Sequence, residues 1–186
     1  MASIQLQSNE VNPENIRPSS RVEGDREIVL HRELDGELQG FGKRFWKTVS
    51  DEHNGAGSLL QEPAADVVSI QYSDRYLFTP VSIALVLEIV SGLKGIVGPS
   101  RWDKPNVEII TTQSRGGVES RAVNTVYADW KDVSVRDAVI EASFGYLGIA
   151  ARLRVLDKLA VQHGRILDIG FANGEHLVVR LDQGVS

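Results

Sequence analysis

The chain has 186 residues, of which 42% are hydrophobic and 24% charged, with a formal charge of -5 and a pI of about 5.4; that is enough to bury a core in one α/β domain with some extra material. The acidic balance excludes a broadly basic nucleic-acid footprint while leaving room for a local basic pocket. Cysteine is absent, which removes disulfides, thiolate zinc sites and cysteine nucleophiles together and fits a reducing cytoplasm.

Residues 1–26 are polar and contain Asn12-Pro13, Arg17-Pro18 and Glu23-Gly24-Asp25, the composition of a linker or arm. Their polar start is not that of a signal peptide. Residues 27–64 read as an N-terminal extension with one helix. Glu27 to Arg32 is a short strand, and Leu38, Phe41, Phe45, Trp46 and Val49 recur at helical spacing up to about Ser50. The glycine-containing stretch from His53 to Ser58 ends that helix.

An α/β domain is expected over 65–186. Val67 to Tyr72 is strand-like and Ser73 to Tyr76 is the loop after it. Thr79-Pro80 opens a helix, with threonine as cap and proline at the first position, where its missing N–H is harmless. That helix is apolar nearly all round, which suits burial against a sheet, and Gly92, Gly95 and Gly98 are expected to break it. Its apolar run near Val81 to Val90 contains Glu88 and is too short to span a bilayer. Asn106 to Thr112 is the next strand, so strand, helix and strand form a right-handed parallel crossover. Another helix is expected between Val133 and Gly145, with Val135, Ala138, Val139 and Ala142 on one side. Ala151 to Leu156 alternates Leu153 and Val155 with Arg152 and Arg154, which form either a small basic strip or an exposed edge. The last two strands form an antiparallel hairpin around Asn173-Gly174, read as a two-residue turn. The sequence stops soon after that strand, at Ser186, which fits either an excerpt of a longer polypeptide or the end of the ordered chain.

If the first hairpin strand begins near His163, then His163, Arg165, Leu167, Ile169 and Phe171 share the core-facing side, with the imidazole and the guanidinium at its mouth. Such a pair suits a phosphate or another anion; a solvated strand start is the alternative. Ligands of open α/β sheets collect beyond the carboxyl ends of the parallel strands. Two loops fall there, one with Asp74, Arg75 and Tyr76 and one with Arg115 before Gly116-Gly117. Arg75 and Arg115 suit a phosphate through their planar forks. The alternative is that Asp74 and Arg75 pair with each other and Arg115 is solvated in a glycine loop. No Gly-rich dinucleotide fingerprint or Walker-type loop occurs, and His31, His53, His163 and His176 lack metal-ligand spacing, so neither a cofactor nor a metal is expected. Trp46, Trp102 and Trp130 are scattered and read as packing anchors.

The order Val68 to Tyr76, apolar helix, Val107 to Thr112, then His163-Gly164-Arg165 with an Asn-Gly hairpin resembles the phospholipase-D-like domain at the C-terminus of MIT-domain-containing proteins, over roughly 65–186. Bacterial relatives of that domain are C-terminal modules, some attached to DEAD/DEAH-type helicases in phage-defence clusters. The resemblance implies a phospholipase-D-like mixed sheet. It also implies a His-x-Lys-x4-Asp active-site motif, used twice, in which one histidine attacks phosphorus and the other protonates the leaving group. Here only His163 fits: Arg165 stands at the lysine position, Gly170 at the aspartate position, Asp168 points to the opposite strand face, and no second copy of the motif is present.

Three functions follow. The first is a non-catalytic binding module for phosphate, nucleic acid or a protein partner, within a larger nucleic-acid-processing or defence protein, binding through Asp74, Arg75, Tyr76, Arg115, His163 and Arg165. The second is a metal-independent phosphodiesterase, active as a homodimer through His163. The third is a membrane-surface phosphoinositide adaptor, against which the acidic charge and the lack of a basic amphipathic helix argue; no membrane partner is expected.

Overall fold

The computed structural model describes residues 26–31, 36–53, 56–57, 60, 66–77, 79–113 and 132–181. In chain order the elements are β1 (Arg26–Leu30), α1 (Phe41–Glu52), β2 (Val67–Ser73), α2 (Pro80–Val97), β3 (Trp102–Thr112), α3 (Val133–Tyr146), β4 (Ala151–Leu156), β5 (Arg165–Phe171) and β6 (His176–Leu181). The strands form one six-stranded mixed sheet in the order β1-β6-β5-β2-β3-β4. β5 alone runs against the others: it is antiparallel to β2 and β6, while β1 with β6, β2 with β3, and β3 with β4 are parallel. The expected α/β class, the parallel βαβ crossover and the antiparallel C-terminal hairpin are therefore all present. The extension over 27–64 contributes β1 and α1, whose Ile28, Leu30, Phe41, Phe45, Trp46 and Val49 are buried in the same core as the rest.

The period-two pattern of each strand decides which side meets the helices. Ile70 and Tyr72, Val107 and Ile109, and Leu167, Ile169 and Phe171 are buried in that core. The other side carries compensated charges: Glu108 faces Arg152 and Arg154 at 3.7 and 3.8 Å, Asp168 bonds His176 at 2.7 Å, and Glu27 pairs with Arg180. Arg152 and Arg154 thus lie on an edge strand and are both matched by Glu108, which resolves the two readings of that pair.

Four local expectations are corrected. First, Gly92 and Gly95 lie inside α2, and only Gly98, with φ of 73°, ends it. Gly92 is needed because α1 crosses here: a Cβ would come within 2.9 Å of the Gly42 carbonyl carbon and of Trp46 Cδ1. The uninterrupted helix has eighteen residues and is long and apolar enough by composition to cross a membrane. It instead buries Ile83, Val86, Ile89, Val90 and Leu93 in the core, and Trp46 Nε1 donates to Ile89 O at 2.7 Å. Second, α3 turns a different side inward: Arg136, Ile140 and Phe144 are buried, whereas Val135 and Val139 are exposed. Third, the hairpin connection is longer than two residues. Gly174 N bonds Phe171 O, Phe171 N bonds Glu175 O, and only Gly174, φ 86°, takes positive φ, so the turn is followed by a glycine bulge. Fourth, β5 begins at Arg165, leaving His163 in the loop before it.

Candidate functional site

β2, β3 and β5 bring three side chains together at one end of the sheet. Ser73 pairs with Ile166 and with Ile110, so the next residue, Asp74, falls between Arg165 on one side and Thr111 on the other. The parallel ladder continues one step, with Asp74 N donating to Ile110 O at 3.0 Å. By strand alternation Asp74 shares the inner side with Ile70 and Tyr72, and it is 3% exposed. Arg165 Nε donates to its Oδ2 at 2.8 Å. Tyr76 N donates to Oδ1 at 2.7 Å, an aspartate turn that shapes the loop into α2. Asp74 therefore pairs with Arg165 across the sheet and not with Arg75.

Around this pair sit the other candidates. Arg75 Nε donates to Val161 O, and Thr112 Oγ1 to Arg75 O at 2.9 Å, which pins the β2–α2 loop to the β4–β5 loop. His163 Nε2 lies 3.4 Å from the Tyr76 hydroxyl, and their rings meet edge-on with centroids 6.0 Å apart. The structure thus gathers Asp74, Arg75, Tyr76, His163 and Arg165 at the carboxyl end of β2, while Arg115 lies outside the described residues. Asp74 engages only the Nε of Arg165, and no described residue accepts from its two terminal nitrogens. Those nitrogens supply a cation near the exposed His163, a mouth suited to an oxyanion.

Tyr72 lies beneath the pair, its hydroxyl 3.5 Å from Asp74 Oδ2. Burial, then the negative charge of Asp74, pushes its pKa well above the usual tyrosine value. The neutral phenol is thus favoured in the fold, and its contribution is intact below the unfolded pKa of about 10 and falls away as pH rises beyond it. Tyr72→Phe should lose little stability at pH 7 and remove about one proton's worth of alkaline destabilisation, roughly 1.4 kcal/mol per pH unit above pH 10. Urea midpoints from pH 8 to 11.5 check this; equal alkaline slopes in the two proteins would contradict it.

The opposite sheet side holds a different pair. Asp168 and His176 are bonded there, and Gly170 makes room for them, since a Cβ at that position would collide with Ser69 Oγ and lie 3.3 Å from His176 Cε1. Asp168 is thus turned away from Arg165, as strand alternation within β5 requires. No cluster of three or more His, Asp or Glu side chains able to hold a metal occurs among the described residues.

Two groups at this end of the sheet escaped the sequence analysis. Thr111, 0% exposed, and Arg136, 1% exposed, are both buried and have no hydrogen-bond partner among the described residues. Burial lowers the pKa of Arg136 from its usual value. Their only sequence signal is a polar residue in register with buried ones: Thr111 follows Val107 and Ile109 at period two, and Arg136 precedes Ile140 and Phe144 at period four.

From β1 to β6, every element that builds this site falls within residues 24–186, which match the family model of the DEAD/DEAH box helicase YjiV C-terminal domain. The chain belongs to this family. It is a helicase-associated module of α/β architecture, and the elements of the 27–64 extension fall within the matched region as much as the later strands do. Comparison with curated proteins gave no match.

Proposed function

We propose that this helicase C-terminal domain is a non-catalytic, phospholipase-D-like binding module of a larger nucleic-acid-processing protein, and that it takes a backbone phosphate of nucleic acid at Arg165 and His163. The observation that carries the reading is the orientation of Arg165. A buried carboxylate fixes its guanidinium through Nε alone and leaves the terminal fork unspent beside an exposed histidine. Phosphate contacts of this kind position a nucleic acid without reading its sequence. The hydrolytic alternative would need a second histidine from another copy and a carboxylate available to His163, whereas Asp74 is engaged by Arg165 and Tyr76 N and Asp168 faces the other side of the sheet. The phospholipase-D likeness supports phosphate as the recognised group and rests on the order of elements and the His163-Gly164-Arg165 sequence.

Fluorescence anisotropy with labelled single- and double-stranded DNA across a salt series tests the proposal. Binding should weaken as salt rises. Arg165→Lys should keep a cation for Asp74 while losing the planar fork, lowering affinity about tenfold, the equivalent of one charge-assisted hydrogen bond of about 1.4 kcal/mol. No DNA binding at low salt, or unchanged affinity in both Arg165→Lys and His163→Ala, would remove the nucleic-acid reading.

A further inference from the structure

A second cation faces the same end of the sheet. Arg136 lies in the first turns of α3, after the cap Asp132, whose carboxylate accepts from Ser134 N at 2.8 Å. Its stripe continues through Ile140 and Phe144, both in the core, so it points into the layer between helix and sheet. Leu153 N donates to Asp137 Oδ1 at 3.0 Å, which fixes the start of α3 over the middle of β4. Leu153 pairs with Ile109, and Val155 with Thr111. Helical side chains lean toward the helix N-terminus, so the long Arg136 side chain leans toward the carboxyl ends of β3 and β4. Thr111 closes the inner side of β3 there, one ladder step from Asp74.

Nε, Nη1 and Nη2 of Arg136 and Oγ1 of Thr111 are all buried and have no hydrogen-bond partner among the described residues. A guanidinium without a counter-charge in such a place strongly destabilises a fold, and polar groups buried in native proteins nearly always have partners. Arginine does not escape by giving up its proton near neutral pH. The four unmatched polar atoms comprise three guanidinium nitrogens, which can only donate, and one hydroxyl, which can donate or accept. That set matches an oxyanion.

We propose that Arg136 and Thr111 form a buried seat for a phosphate group between the carboxyl end of β3 and the start of α3, beside the Asp74–Arg165 pair. The seat deepens the function proposed above by adding a second phosphate position at the same end of the sheet. Occupation by inorganic phosphate does not depend on that function; occupation by a nucleic-acid phosphate does.

Thermal unfolding in inorganic phosphate, against sodium chloride of equal ionic strength, tests the seat. Phosphate should raise the wild-type Tm by several degrees over chloride, as a ligand bound only to the folded state does. Arg136→Met should abolish that rise and, in phosphate-free buffer, unfold at a higher temperature than wild type, because the unmatched charge is gone. Thr111→Val, which keeps the cation, should shift the phosphate dependence to about tenfold higher concentration and serves if the methionine variant does not fold. Equal wild-type Tm in phosphate and chloride would overturn the seat. A 5′-phosphorylated trinucleotide that stabilises the protein where its unphosphorylated form does not identifies a nucleic-acid source; stabilisation by inorganic phosphate alone identifies a free ion. Arg165→Lys separates the two proposals: loss of DNA binding with the phosphate-dependent Tm intact leaves the seat standing, and the converse leaves only the outer mouth.

Discussion

Replacing Asp74 by alanine is expected to cost about 3 kcal/mol, toward the lower end for breaking a buried ion pair because Arg165 keeps some contact with water. The aspartate is 3% exposed and does three things at once: it neutralises Arg165, accepts from Tyr76 N and lies beside the Tyr72 hydroxyl. Alanine leaves the guanidinium and the Tyr76 N–H without their acceptor. Asparagine retains an acceptor for Tyr76 N and should cost less, about 1–2 kcal/mol. Adding Arg165→Met to Asp74→Ala should recover part of the loss, since the stranded cation is then removed as well. Urea midpoints at constant m-value measure all four proteins. If Asp74→Ala stays within 0.5 kcal/mol of wild type, roughly the range of ordinary surface changes, the pair does not organise this end of the sheet.

Gly42→Ala should be at least as damaging, about 3 kcal/mol or more, by overpacking. A Cβ at position 42 would fall on the Glu88 carbonyl oxygen of α2 and lie 2.7 Å from its carbonyl carbon. Both are backbone atoms, so no side-chain rotation relieves the clash and the two helices must separate. Separation would break the Trp46 Nε1 bond to Ile89 O and expose Phe41, Phe45 and Val49, which are 0–1% exposed. Gly92→Ala, with contacts near 2.9 Å, should follow the same course with a smaller loss. Gly95→Ala is the internal control. It has open space around its Cβ position and should stabilise α2 by about 0.5–1 kcal/mol through helix propensity alone. Circular dichroism melts of the three variants give the ranking. A Gly42→Ala protein as stable as Gly95→Ala would mean that the close helix crossing is wrong.

These glycines show what the sequence could convey. Gly92 and Gly95 look alike in a linear reading, and both suggest a helix end. One is a contact point for α1 and the other is open helix surface, a difference set by a partner some fifty residues away. The strands were legible because each shows period two or a continuous β-branched run. The cap Thr79-Pro80 was legible because its chemistry is local, and Thr79 Oγ1 does accept from Ser82 N at 3.2 Å. The inner side of α3 was not. Apolar residues occur nearly all round that helix, so periodicity alone favoured Val135 and Val139. The larger Ile140 and Phe144 fill the space over the sheet instead and carry Arg136 in with them. At the site, proximity in sequence suggested that Asp74 pairs with Arg75. Sheet register, which sequence spacing does not encode, gave Asp74 to Arg165.

The pairing of β1 with β6 has a kinetic meaning. Arg26 lies opposite Leu177 and Leu30 opposite Leu181, so among the described residues the earliest strand completes the sheet against the latest. Closing so long a loop is entropically expensive and is rewarded only after the β5–β6 hairpin exists. Strands β2, β3 and β4, joined by nearby crossovers, can assemble without it. During synthesis β1 must therefore wait, with the Ile28 and Leu30 side chains uncovered, until the final hairpin has left the ribosome. Native-state hydrogen exchange should record the same order in reverse, with the β1 amides opening well before those of β2 and β3.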